Sequence, residues 1–168
     1  ELIRSKDWSK TPLGSPDIWP QSLRTMVSVM LNNPFGMYIA WGLELTQLYN
    51  DAFCNIISSD KHPEALGNNP KETFPEIWNL THEIFSDVKH GKSVSFTDFM
   101  VPLNKNGTIE TCYFDFSYSP IKKEDGEVGG VLVTVIETTA KKKAADLLEE
   151  KNIRFKNNIM QAPLAMCV

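Results

Sequence analysis

The sequence predicts an α+β domain: a five-stranded antiparallel sheet with short helices on one face, an N-terminal cap helix and a C-terminal linker helix. Three observations carry that expectation. Residues 110–139 read as two long strands around a turn, with a third strand, residues 95–103, ahead of them. Residues 35–49 read as a shorter, aromatic strand pair. Between the two groups, residues 58–79 hold Pro63, Pro70 and Pro75, which forbid one continuous helix and favour short helical turns. Helices laid over a curved sheet enclose an interior cleft, a natural place for a small molecule.

The long pair is the most strongly patterned part of the chain. Cys112, Phe114, Phe116 and Tyr118 alternate with Tyr113, Asp115, Ser117 and Ser119, the period of two of a half-buried strand. Pro120 lacks a backbone donor and suits a strand end. Glu124-Asp125-Gly126 supply turn chemistry, and residues 128–136 form a β-branched run long enough to be buried on both faces. Leu132 and Ile136 fall opposite Val133 and Val135, so the second face of the sheet needs a cover. The helix expected over residues 20–31 offers one in the stripe Leu23, Met26, Val27, Met30 and Leu31, from the same chain or from a dimer partner.

The remaining elements follow local signals. Residues 7–19 carry Trp8 and Trp19 among prolines, glycine and serines, which marks an ordered lead-in, because tryptophan is seldom left in solvent. Pro20 suits a first helical turn, and Asn32-Asn33-Pro34 stop the helix. Strands over residues 35–41 and 45–49 join through Gly42-Leu43-Glu44. Asn50-Asp51 cap a short helix through Ile57 that turns Phe53 and Ile56 inward. Leu80, Ile84, Phe85 and Val88 space as a helical face ending at His90-Gly91, and residues 104–108 make a hairpin turn.

Composition narrows the function classes. The 168 residues suffice for one domain with a sizeable core. A formal net charge of −4 gives no basic surface for nucleic acid. No apolar run approaches the ~20 residues of a membrane span. Cys54, Cys112 and Cys167 are odd in number and far apart, which argues against a disulfide framework and structural zinc and for a reducing cytoplasm.

Taken in order, YIAWGLELTQLYN, the broken middle KHPEALGNNPKETFPEIWN and the ending SPIKKEDGEVGGVLVTVIETT resemble a PAS domain. Pro120-Ile121, Asp125-Gly126, Gly130 and Glu137-Thr138-Thr139 match the recurrent PAS ending. The lead-in from Asp7 is similar to the amino-terminal PAS domain of a group of bacterial sensor histidine kinases, and the resemblance spans residues 7–139. It implies a non-catalytic, cytoplasmic sensory or signal-relay module of a two-component system, with the kinase elsewhere in the full-length protein. Signal output is then expected at Glu137, Thr138 and Thr139. The alternative is a ligand-free dimerisation or interaction module.

The expected organisation is a lead-in and cap helix over residues 1–34, the PAS domain over 35–139, a linker helix over 140–158, and the start of a truncated second PAS-like domain over 159–168. The last assignment rests on an ungapped match between MLNNPFGMYI and IMQAPLAMCV, in which Pro34 meets Pro163 and Met37 meets Met166. In the linker, Ala145, Leu148, Asn152, Phe155 and Ile159 step by three and four, an a/d seam on which Asn152 favours a parallel, in-register homodimer. The seam covers about two heptads, so a solvated helix is the alternative. The expected partners are a second copy, downstream PAS and kinase domains of the same chain, and a small-molecule ligand, with no nucleic acid and no membrane span.

Catalytic readings fail on spacing. Thr81-His82-Glu83 departs from a histidine-kinase phosphoacceptor in the residues that follow, no GxSxG elbow occurs, and HExxH is absent. The PAS resemblance raises two cofactors. Flavin chemistry through a cysteine adduct needs a cysteine in the helical middle, and none lies between Cys54 and Cys112. Haem needs a histidine from the long helix, and His82 and His90 are poorly placed off the apolar face. Trp78, Phe85, Phe96, Phe114, Phe116, Tyr118, Val133 and Val135 are expected to face the cleft. They either line a weakly polar ligand or fill the core themselves, since an aromatic ring covers about 150–250 Å².

Overall fold

The computed structural model describes residues 2–57, 61–105 and 108–161. Five strands, β1 (Gly36–Trp41), β2 (Thr46–Tyr49), β3 (Val94–Lys105), β4 (Thr108–Lys122) and β5 (Val128–Glu137), form one sheet in the order β2-β1-β5-β4-β3. Every neighbouring pair is antiparallel. The helices are α1 (Leu2–Ser5), α2 (Gln21–Leu31), α3 (Asp51–Cys54), α4 (Pro70–Thr73), α5 (Pro75–Lys89) and α6 (Thr139–Gln161). This is an α+β architecture in which the first hairpin and the last three strands meet at the β1–β5 contact.

The register divides the side chains between two faces. One row runs Tyr49, Tyr38, Val133, Tyr118 and Val94 across the whole sheet. The helices α3 and α5 lie on this inner face: Phe53 stacks on Tyr38 at 5.4 Å, and Phe85 meets Tyr118 edge-on at 5.8 Å. The alternate row runs Leu48, Ile39, Leu132 and Ser119 on the outer face. There α2 and the lead-in cover β1 and β2, burying Trp8, Trp19, Leu23, Val27 and Met30 along with Ile39 and Leu48. The cap helix therefore packs in cis. Leu31, placed on its stripe from sequence, is exposed, and Ile136 on the uncovered half of the outer face is 38% exposed.

Local boundaries differ from the sequence reading in physically explicable ways. Pro75 opens α5 instead of interrupting it, since proline is tolerated at the first helical position. The buried face of α5 is then Thr81, Phe85 and Val88, with Trp78 partly packed, while Leu80 is 55% exposed. The helix expected to reach Ile57 stops at Cys54 after Asn50 caps it. Strand β3 extends to Lys105, and most of the hairpin turn that follows lies outside the described residues. The linker helix runs through Gln161, past the expected limit of residue 158, and residues 162–168 of the expected second domain lie outside the described residues.

Two features pin the cap helix. Pro20 cannot cap α2 with a side chain, so the Ser22 N–H donates instead to Glu124 Oε1 at 2.6 Å, from the β4–β5 turn. At the other end, the buried Asn50 amide donates to Met30 O (3.0 Å), Asn33 O (3.1 Å) and Phe35 O (2.8 Å). Its oxygen accepts from Met37 N–H (2.9 Å) and Phe53 N–H (3.0 Å). One side chain thus ties the end of α2, the start of β1 and the start of α3. At the far end of β1, Gly129 and Gly130 allow the Trp41 ring to lie on β5: a Cβ at Gly130 would stand 2.6 Å from that ring.

Candidate sensory core and output joint

The eight expected cleft residues are brought onto one side of the sheet. Phe114, Val133 and Val135 are buried in it, Tyr118 and Phe85 nearly so, and Trp78, Phe96 and Phe116 are half-buried around the edge. They form two chains of ring contact. Trp78 stacks on Phe85, which meets Tyr118. Phe114 touches Phe116, which meets Phe99 and through it Phe96. Tyr38, Tyr49 and Phe53 complete the layer on the β1–β2 side, with Tyr49 tilted on Phe53 at 5.6 Å. The sequence reading did not include these three, although Tyr38 stood in a short aromatic strand and Phe53 was expected to point inward.

Polarity on this face comes from hydroxyls and one amide. Burial pushes the Tyr118 phenol up to about 12 and raises Tyr38 well above the ordinary phenol range, so both stay protonated. The Tyr49 hydroxyl lies 3.1 Å from His62 Nδ1, and Cys54 Sγ lies 3.6 Å from the same nitrogen. Gln47, between Thr46 and Leu48 in β2, is fully buried; its Nε2 donates to Ala65 O (3.2 Å), Asn68 O (3.0 Å) and Thr73 Oγ1 (2.6 Å). An amide beside a threonine gave no local signal of that burial.

The two histidines weighed as haem candidates are His82 in α5 and His90 at its C-terminal cap. His82 is exposed with Nδ1 2.9 Å from Asn79 O, and His90 is exposed with Nδ1 2.7 Å from Ser86 O. Each Nδ1 faces a carbonyl of its own helix, and the His82 ring lies 6.2 Å from the ring of Trp78.

The expected output residues form a tight joint between β5 and α6. Thr138, the single residue between the two elements, is buried. Its N–H donates to Tyr113 O at 2.7 Å, and the Thr139 hydroxyl accepts from Tyr113 N–H at 2.9 Å while donating to Glu137 Oε1 at 2.9 Å. Thr138 Oγ1 also donates to Asp98 Oδ1 at 3.1 Å. Asp98 lies where the β3–β4 register shifts between Phe96 and Phe99, at a left-handed φ of 49°, and its N–H donates to Asp115 Oδ1 at 2.8 Å. The joint is therefore held by β4 and, across it, by a bulge in β3 that nothing in the sequence announced.

Beyond the joint, α6 packs against β4, none of its residues is buried, and from residue 143 onward every one is exposed. Ala145, Leu148, Asn152, Phe155 and Ile159 make an exposed strip along one side of it. The exposed Leu147, Ile153 and Met160 lie outside the strip.

No family model and no curated protein sequence matches the chain. Solved structures do. The PAS domain of BvgS from Bordetella pertussis matches with a TM-score of 0.53 at 19% identity, over 76% of this chain and 97% of that one. The fold is that of a PAS domain. A phage VqmA solved as its DPO complex gives a TM-score of 0.55 at 16% identity, over 79% of this chain and 59% of that one. An RNA-binding light-oxygen-voltage receptor gives 0.53 at 15% identity, over 86% of this chain and 41% of that one. The chain thus spans well under two thirds of the last two proteins, and the shared part is the PAS fold. No helix among the described residues is long and apolar enough to cross a membrane.

Proposed function

We propose that this chain is a sensory and signal-relay PAS module of a bacterial two-component sensor histidine kinase, acting in the cytoplasm. One observation carries the reading: β5 passes into a 23-residue helix through a single clamped residue, and that helix leaves the domain with its apolar strip uncovered. A binding event on the sheet biases one arrangement of β5 and the joint, and α6 carries the bias to downstream domains as a population shift. The partner of the strip is a second copy, paired in parallel along Ala145, Leu148, Asn152 and Phe155. BvgS contributes its PAS domain to the comparison, and the phage VqmA a structure solved as its DPO complex.

The ligand-free alternative draws support from the ring contacts that fill the inner face. Sedimentation equilibrium tests the relay reading. A dimer is expected for the chain and a monomer for Leu148→Glu combined with Phe155→Glu, with Asn152→Leu changing the oligomeric state. A chain that is monomeric in all three forms refutes the seam.

A further inference from the structure

Two atoms of the inner face have no hydrogen-bond partner among the described residues: the Tyr38 hydroxyl and the Gln47 side-chain oxygen. Native interiors rarely leave buried polar atoms unpaired, because each such atom has given up its water without replacement. Neither can be rescued by a rotation. The Tyr38 ring is held flat against Phe53, and its phenol, raised by burial and by the neighbouring Tyr118, remains a donor. Turning the Gln47 amide over would set its oxygen against the carbonyls of Ala65 and Asn68. Thr73 Oγ1 gives its proton to Asn69 O, so it accepts from Gln47 and cannot donate to it.

The register sets the two side chains on the same face of neighbouring strands, at diagonal positions. Tyr38 pairs with Tyr49 and Gln47 with Ala40, two residues along, so both rise from the inner face on neighbouring strands. Ala40 is the smallest side chain in its row, which continues through Val131 to Pro120. No charged side chain stands in either row, so a charged guest would be desolvated with nothing to balance it. The outward side of the Gln47 amide is bonded to Ala65, Asn68 and Thr73, which line a surface cleft of about 200 Å³ with Lys61, Glu64 and Glu72.

We propose that the interior between Tyr38 and Gln47 receives a small uncharged molecule with an acceptor and a donor, the acceptor facing the Tyr38 hydroxyl and the donor facing the Gln47 oxygen. It enters from the cleft at Ala65, Asn68 and Thr73. This specifies the guest of the sensory reading above and rests on it. Occupancy braces β1 and β2 against Val133 of β5, the strand that ends at the joint.

Tyr38→Phe removes the orphan hydroxyl and nothing else. Native mass spectrometry and thermal unfolding are compared for the full chain as purified and after unfolding in urea, dialysis and refolding, in both forms. The expected result is a mass increment larger than water on the purified wild type, absent from Tyr38→Phe and from refolded wild type. The melting temperature of wild type falls by several degrees on refolding, and that of Tyr38→Phe does not change. A wild type with no increment and an unchanged melting temperature overturns the proposal. So does a crystal structure showing a lone water between the two groups, and so does a Tyr38→Phe chain that melts higher than purified wild type. None of these outcomes alters the sedimentation of the α6 variants, so failure of the guest and failure of the relay reading are told apart.

Discussion

Asn50→Ala should be the most damaging single truncation of a polar side chain in this domain. The amide has two protons for three carbonyls, Met30 O, Asn33 O and Phe35 O, and one oxygen for two N–H groups, Met37 and Phe53. One carbonyl contact is therefore shared, leaving about four full hydrogen bonds at ~1 kcal/mol net each. The expected loss is about 4 kcal/mol, a large part of the ~5–15 kcal/mol available to a domain. At this size that corresponds to roughly 8–16 °C in Tm. Urea unfolding followed by tryptophan fluorescence reads it directly, because Trp8, Trp19 and Trp41 are buried near the segments that Asn50 ties. Asn50→Asp sharpens the test. It keeps the acceptor for Met37 and Phe53 but sets a carboxylate against three carbonyl oxygens, so the introduced carboxyl has its folded pKa raised above the ~3.9 of an unfolded aspartate. Its penalty is then full above the folded pKa and is relieved as pH falls through it. A loss under about 1 kcal/mol for Asn50→Ala, or an Asn50→Asp penalty that ignores pH, would refute the hub.

Two further substitutions test how the outer layer is fixed. Gly130→Ala places a Cβ 2.6 Å from the Trp41 ring and 2.9 Å from Ala40 O, and backbone on that side cannot yield. A loss of about 1–3 kcal/mol in urea unfolding is expected, and a neutral result would mean that the Trp41 ring is free to move. Glu124 is fully exposed, and the Ser22 N–H it accepts holds its carboxyl below the usual range. A lowered folded pKa means its contribution is present above the unfolded pKa and is lost as pH falls through the folded one. Wild type should therefore exceed Glu124→Gln in stability near neutrality and converge with it in acid; parallel pH profiles would show that the contact does not fix α2.

What could be read from the sequence was whatever repeats locally. The alternation of Cys112 to Tyr118, the Asp125-Gly126 turn and the β-branched run of β5 each state their structure within a few residues. The inward set of aromatic residues followed from those phases. Prolines were read as breaks, which was right for the segment as a whole but hid that Pro75 begins a helix. Leu80 was misplaced for a different reason: it lies about 100° around the helix from Thr81, at the edge of the stripe that Thr81, Phe85 and Val88 bury. Long-range polar contacts had no local signal at all. Asn50 was legible as a helix cap but not as the partner of Met30 and Phe35, residues 20 and 15 positions away. Asp98 was unremarked because a bulge is set by the register of two strands, which a single strand's pattern does not contain.

The bulge decides what kind of joint this is. In the sheet order β3 is separated from β5 by β4, so a signal carried only through strand pairing would have to cross β4 to reach the start of α6. The Thr138–Asp98 bond bypasses that route, since the chain leaving β5 turns over Tyr113 of β4 and meets the β3 bulge directly. Moving β5 relative to β4 must therefore strain two sets of bonds at once, those of the Tyr113 backbone to Thr138 N–H and the Thr139 hydroxyl, and the hydroxyl–carboxylate contact at Asp98. Both can break within one residue of the helix start, where the backbone is not yet committed to helical bonding. A joint held by a few short bonds from two strands favours two discrete states over gradual bending. That is the property a relay needs, and it is carried by Thr138 and Thr139 and not by the apolar core.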